Sequence, residues 1–199
     1  DRLAVASICL QAGERAAKSS MFQTARAYLK HGIDILPPTS MWSSRDSYDL
    51  SLRLHNAAIE VSYCTAEFDD LEVLVEEVLS HARSFDDSLL ARATQIYSLG
   101  SRTRLPEAIQ KGMDVLNELG EKFSSMNPSS VQVGWARWRT RRLLRGVSDE
   151  ALLRTRPMKD PKKLAARQIM NHIILYAFYA RPAFPCLVVT RMVELTVRH

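Results

Sequence analysis

Glycine is scarce, with seven in 199 residues, about half of the ordinary ~7% usage. That scarcity excludes Gly-rich phosphate loops, disfavours a fold of many tight turns, and points to helices. The three cysteines, Cys9, Cys64 and Cys186, are odd in number and widely spaced, so neither a disulfide framework nor a zinc pattern is indicated. Long apolar runs are also missing. The most apolar stretch, 173–180, stops at Arg181-Pro182, far short of the ~20 residues that span a bilayer. Leu3 to Leu10 is too short for a secretory leader and runs straight into Gln11 and Glu14. Asn127-Pro128-Ser129 is barred from N-glycosylation by its proline. A reducing, cytoplasmic setting is therefore expected.

What is present is ordinary for a globular chain, 46% hydrophobic and 25% charged. The sequence opens at Asp1 without an initiator methionine and ends at His199 within a helical pattern, so a fragment of a longer polypeptide is expected. The formal charge of +5 and a pI near 9.3 call for a search for a basic patch.

Apolar residues recur at helical spacing almost throughout, and no segment alternates as a strand does. Helices are predicted over 2–19, 21–36, 47–65, 69–83, 88–101, 106–119, 131–145, 161–180 and from Pro182 onward. Asp86 or Asp87 is expected as an N-cap, and 39–46 as a polar loop. Leu71, Val75, Val78, Leu79 and Ala82 form one stripe. Pro106 starts and Gly120 stops a helix in the usual asymmetry. Ser148 is expected to cap a short turn with Asp149 and Glu150. Leu187, Met192 and Leu195 mark the buried side of the last helix.

A repeat runs through these helices. In the tetratricopeptide pattern, an aromatic or apolar residue opens the second helix of a pair. Small residues follow three and ten positions on, and proline closes the unit. Phe22, Ala25, Gly32 and Pro37 fit all four positions, and Gly13 fits the small site of the preceding helix. Phe68, Leu71 and Val78 are a looser copy, as are Leu105, Ala108 and Val115. Small residues there let paired helices approach closely, and neighbouring pairs then share a core. The fold class is all-α, a tetratricopeptide-like α-solenoid of about five antiparallel helix pairs. It forms one helical-repeat domain over 1–199, with clearer repeats in 1–130 and divergent basic helices in 131–199.

Five stretches beginning Ala12-Gly13, Tyr48-Asp49, Phe68-Asp69, Pro106-Glu107 and Pro157-Met158 resemble, in order, one specific helical-repeat region. That region belongs to large multidomain signalling proteins with an AAA/STAND-type predicted ATPase module. In many of them a Ser/Thr kinase-like domain lies upstream and GAF and histidine-kinase domains lie downstream. The segment Trp135 to Arg145 departs from the pattern by being more basic and richer in tryptophan. The resemblance implies a non-catalytic scaffold or sensor that contacts neighbouring domains or protein partners.

No catalytic or cofactor constellation is evident. Gly13 to Ser19 superficially matches a phosphate-binding loop, but Ala17 stands where the second glycine is required and the segment is helical. His31, His55, His81, His172 and His199 lack i,i+4 partners for a metal, and His172 reads as a hydrogen-bonded core residue. There is no G-x-S-x-G elbow. Cys64 reads as a small buried hydrophobe. In a solenoid of this kind the concave face is lined by first helices, which nominates Asn56, Arg92 and Gln95.

Charge is unevenly distributed: −5 over 1–130, +8 over 131–167 and +2 over 168–199. The basic tract holds Trp135, Arg137, Trp138, Arg139, Arg141, Arg142 and Arg145. Arg154, Arg156, Lys159, Lys162, Lys163 and Arg167 follow. Three readings stand. Trp135 and Trp138 pack inward with Val131 while the arginines are solvated or pair with acids elsewhere. Alternatively, the tract docks an acidic protein surface or anionic head group, or it binds nucleic acid by charge and stacking.

Overall fold

The computed structural model describes residues 2–148, 150 and 158–198. The chain is all-α: among those residues are nine helices and no strand. They are α1 (Arg2–Lys18), α2 (Phe22–Ile35), α3 (Arg45–Cys64), α4 (Phe68–His81), α5 (Phe85–Ser101), α6 (Leu105–Glu118), α7 (Ser130–Leu144), α8 (Pro161–Ala180) and α9 (Phe184–Arg198). Asp149, Arg154 and Arg156, and the short turn expected beyond Ser148, lie outside the described residues. Contacts divide the chain into two compact units, Asp1–Ser98 and Leu99–His199.

One backbone device ends α6 at Gly120 and recurs three times without glycine. The ends of α1, α3 and α5 are each followed by a residue in the left-handed region, Ser20, Ala66 and Thr103, with φ of 58°, 58° and 59°. In each case the next residue donates its N–H five positions back: Met21 to Ala16 O at 2.9 Å, Glu67 to Ser62 O at 2.9 Å, Arg104 to Leu99 O at 2.9 Å. The left-handed residue itself donates three positions back. This is the Schellman closure, which satisfies the orphan carbonyls of a helix end. Scarce glycine, expected to disfavour tight turns, does not prevent them; Ser, Ala and Thr accept the strained φ because two hydrogen bonds hold it. The second helix restarts at once with Phe22, Phe68 or Leu105.

The repeat positions occupy equivalent places after those turns. Ala25, Leu71 and Ala108 are fully buried, and each donates its N–H to the carbonyl just before its helix. Gly32, Val78 and Val115 are buried a further two turns on. The two glycines of the first hairpin sit at close approaches. A Cβ on Gly13 would lie 2.7 Å from the Leu29 side chain, and one on Gly32 would lie 2.8 Å from Leu54 Cδ2 and 3.0 Å from Cys9 Cβ.

In the first unit α1 packs on α2 and α3, α2 on α3, and α3 on α4. The core runs through Leu10, Leu29, Leu36 and Leu54 and continues through Ile59, Leu71, Val75, Val78 and Ala91. Burying each large aliphatic side chain is worth about 1.5–3 kcal/mol. The stretch 39–46, expected to be a polar loop, instead feeds the core. Met41 is buried, Trp42 is half-buried, and α3 begins at Arg45 behind an N-cap by Ser44. The Trp42 indole stacks on His81 at 4.9 Å between centroids, lies 5.0 Å from the His55 ring, and donates to Glu77 at 3.0 Å. Arg83 donates to the carbonyls of Trp42 and Ser43, pinning the linker.

Two boundaries differ from expectation. The N-cap of α5 is Ser84 rather than Asp86 or Asp87. Ser84 Oγ accepts the Asp87 N–H and Asp87 accepts the Ser84 N–H, both at 3.2 Å, a reciprocal cap that starts the helix three residues early. The last helix begins at Phe184 and not Pro182. In the second unit α6 packs on α8, and α9 packs on both α7 and α8. On α9 the buried side chains are Phe184, Val188, Glu194 and Leu195. Leu187 and Met192, expected on that side, are only half-buried.

Gly32→Val drives Cβ into Leu54 and Cys9, and overpacking of this kind destabilises by about 1–3 kcal/mol. The urea unfolding midpoint should fall accordingly, with the slope unchanged. His55 is buried, its Nδ1 2.8 Å from Ser51 O. Its pKa is held below the ordinary 6.5, first by desolvation and against a smaller opposing pull from that hydrogen bond. Below pH 6.5 the unfolded chain takes up a proton that the folded chain resists, so this contribution is intact above that pH and lost as pH falls toward the folded pKa. Stability measured between pH 7.5 and 5 should decline less steeply in His55→Gln than in the parent.

Candidate functional site

Two places draw polar and aromatic groups together, one in each unit. The first is an open groove of about 630 Å³ walled by α1, α3 and α5, with Phe22 and Leu29 of α2 at one side. Its walls include Lys18, Ala57, Glu60, Tyr63, Cys64 and Tyr97. The Tyr63 and Tyr97 rings stand 6.4 Å apart at 57°. Glu14, another wall residue, is tied to Arg53 at 3.0 Å. Burial pushes the Glu60 carboxyl and the Tyr97 phenol above their usual pKa values, with Tyr63 adding to the latter. Asn56, Arg92 and Gln95 are not among the groove walls; the neighbouring positions Ala57, Glu60, Thr94 and Tyr97 are. Cys64 is exposed at the groove, not a buried hydrophobe, and Cys9 is the buried cysteine.

The second place is a chain of buried charge. Glu121 and Glu194 are each 1% exposed. Glu121 accepts from Lys163 Nζ at 2.6 Å and Arg191 Nε at 2.6 Å. Arg191 also reaches Glu194 at 3.2 Å, and Glu194 accepts a two-toothed bond from Arg139 at 2.6 and 2.5 Å. Arg191 thus bridges two carboxylates and links α7, α8 and α9 to the turn after α6. Burial alone would raise the Glu121 carboxyl, but the hydrogen bonds from Arg191 and Lys163 outweigh it and its pKa lies below 4.5. On Arg191, burial works against the charge and the two glutamates more than restore it.

This network divides the basic tract. Arg139 and Lys163 are used internally, whereas Arg137, Arg141, Arg142, Arg145 and Lys162 are exposed. The inward packing expected of Trp135, Trp138 and Val131 does not occur: they are 58%, 55% and 78% exposed. The face of α7 that turns inward is that of Ala136 and Thr140, and Arg139 reaches Glu194 from its edge. His172 is half-exposed, its Nδ1 2.9 Å from Gln168 O, not a core histidine. The core positions of α8 are Ala166, Ile169, Met170, Ile173 and Ala177.

Gly112 escaped the repeat reading. A Cβ there would collide with Ile173 of α8, and its place midway between Ala108 and Val115 was the available signal. Gly13, in the segment with phosphate-loop spacing, serves helix packing inside α1. Among the described residues no cluster of His, Cys, Asp or Glu converges to hold a metal ion, and no helix is long and apolar enough to cross a membrane. By sequence the first unit carries nine basic and fourteen acidic residues, net −5, and the second eighteen and eight, net +10. The chain matches no protein-family model, no curated protein and no solved structure.

Glu121→Leu strands Lys163 beside an apolar wall and leaves Arg191 only Glu194. The loss should be about 3 kcal/mol, at the low end for a broken buried pair because both cations still reach water. Calorimetry will read it. In the parent, the Glu121 contribution is complete above pH 4.5 and fades as pH falls below it, so the variant's acid limb should be shallower.

Proposed function

We propose that this chain is a non-catalytic helical-repeat module, an α-solenoid of about five helix pairs. It serves as a scaffold or sensor between neighbouring domains or partner proteins of a multidomain signalling ATPase or kinase. The observation that carries this reading is the groove of the first unit. Its walls come from α1, α3 and α5, three helices each ended by the same turn. Equivalent helices presenting equivalent faces make an elongated surface, the usual binding surface of repeat proteins. Supporting context comes from the resemblance to the repeat region that follows a STAND-type ATPase module.

The groove chemistry suits an extended peptide segment with a basic side chain. The Glu60 carboxylate is exposed in the groove wall and its pKa is raised by partial burial, so a nearby cation favours its charged form, and Tyr63 and Tyr97 offer ring faces to that cation. The acidic balance of the first unit acts in the same direction at longer range.

A phage-displayed random peptide library panned on the protein tests this. Enriched sequences should carry Lys or Arg. They should lose binding by about tenfold or more to Cys64→Trp, which fills the groove, and to Glu60→Lys, which reverses its charge, with thermal midpoints unchanged. Failure to enrich any sequence, or equal binding to both variants, would reject the reading.

A further inference from the structure

The outer face of α7 is a second surface, and it rests on observations separate from those of the groove. Val131, Trp135 and Trp138 lie on successive turns and are more than half exposed. Single exposed apolar residues need no explanation, but a contiguous set does. This set borders a hollow of about 390 Å³ between α7 and α9, whose walls include Phe123, Val131, Trp135 and Leu187, with Lys122 also present. Gly134 lies on the same face, and beyond its chain neighbours and its own helix backbone no described atom comes within 4 Å of where its Cβ would sit. Glycine is a poor helix residue, and nothing among the described residues requires one here. What its absent side chain permits is the close approach of another backbone.

Charge surrounds this apolar strip. Arg137, Arg141, Arg142 and Arg145 are exposed and have no carboxylate partner among the described residues, in contrast to Arg139. The Arg142 guanidinium lies over the Trp138 ring at 5.5 Å and that of Arg139 over Trp135 at 5.0 Å. A stacked guanidinium keeps its planar N–H edge for a carboxylate or phosphate. The same stacking takes up one face of each indole, which leaves a nucleobase only the other to lie on. A hollow with Phe123, Val131, Trp135 and Leu187 in its walls and a glycine for backbone approach favour a protein ligand, which can place an apolar side chain there.

We propose that this face of α7 docks an acidic amphipathic helix of a partner protein. One apolar side chain of that helix fills the hollow beside Trp135 and Leu187, its backbone passes over Gly134, and carboxylates one turn apart meet Arg142 and Arg145. The +10 balance of the second unit steers such a segment toward it.

The test uses a fluorescein-labelled helical peptide of about 18 residues, with leucines on one face flanked by glutamates. Its comparison probes are the same peptide with Gln for Glu, oligodeoxythymidylate of about 20 nucleotides, and phosphatidylserine vesicles. The acidic peptide should bind saturably to the whole chain and shift its tryptophan emission to the blue. The Gln peptide should bind at least about tenfold more weakly. Gly134→Gln should preserve or raise the thermal midpoint while weakening the acidic peptide by about tenfold or more. Trp138→Ala combined with Arg142→Ala should weaken it similarly. Absence of acidic-peptide binding, or binding that ignores both variants, would overturn the proposal. So would tighter binding of the oligonucleotide or the vesicles through the same residues.

Discussion

A helix that ends in one left-handed residue and restarts within two positions has little freedom in where its successor lies. That constraint, set by Ser20 and Ala66, governs the hairpins α1–α2 and α3–α4, and Thr103 closes the end of α5 in the same way. The direction of the return fixes which positions face the partner helix, and those positions must then be small or well shaped. Gly13 accommodates Leu29, and Gly32 accommodates Leu54 and Cys9. Ala25, Leu71 and Ala108 begin each buried stripe at the same distance from the turn. Larger side chains at these points would force the helices apart and open the core along its length, since interiors are packed close to crystalline density.

The second unit relies on a different kind of specification. Its helices meet around Glu121 and Glu194, and neither carboxylate has water to turn to. A buried pair is weak evidence for net stability against an apolar replacement, but it is exacting about geometry. Arg191 satisfies both acids only when α9 lies where Lys163 and Arg139 also reach them. Trp135 and Trp138 are presented outward because the buried side of α7 is that of Ala136 and Thr140. Arg139, beside Trp135 on the same face, reaches Glu194 from the edge of that side.

Much of this was legible from residue order. Helical periodicity locates all nine helices to within three residues at most ends, because the buried stripes of α2, α4 and α6 are strongly one-sided. The repeat positions mark close contacts because smallness is itself a sequence signal. What escaped detection involves partners far away in the chain. Nothing near Glu121 announces Arg191, seventy residues on, so pairing of the basic tract with distant acids stood as one reading that did not single out Arg139 and Lys163 as the paired members. Trp42 was hidden by the polar residues around it; only its packing on His55 and His81 shows that the linker belongs to the core. On the groove, helix register was off by one or two positions, which separates Asn56 from Ala57 and Gln95 from Tyr97.

The two kinds of specification differ in when they can form. A hairpin closed by a three-residue turn brings its contacts together with little loss of chain freedom, and such local structure assembles early and fast. The ion network instead joins residues 42, 55 and 70 positions apart, so a large loop must be closed before any of its bonds exists. Until that moment the carboxylates of Glu121 and Glu194 remain hydrated, and desolvation is deferred to the step at which their partners arrive. The last helix is therefore the piece whose docking completes the network, since Arg191 is the one cation that touches both carboxylates among the described residues.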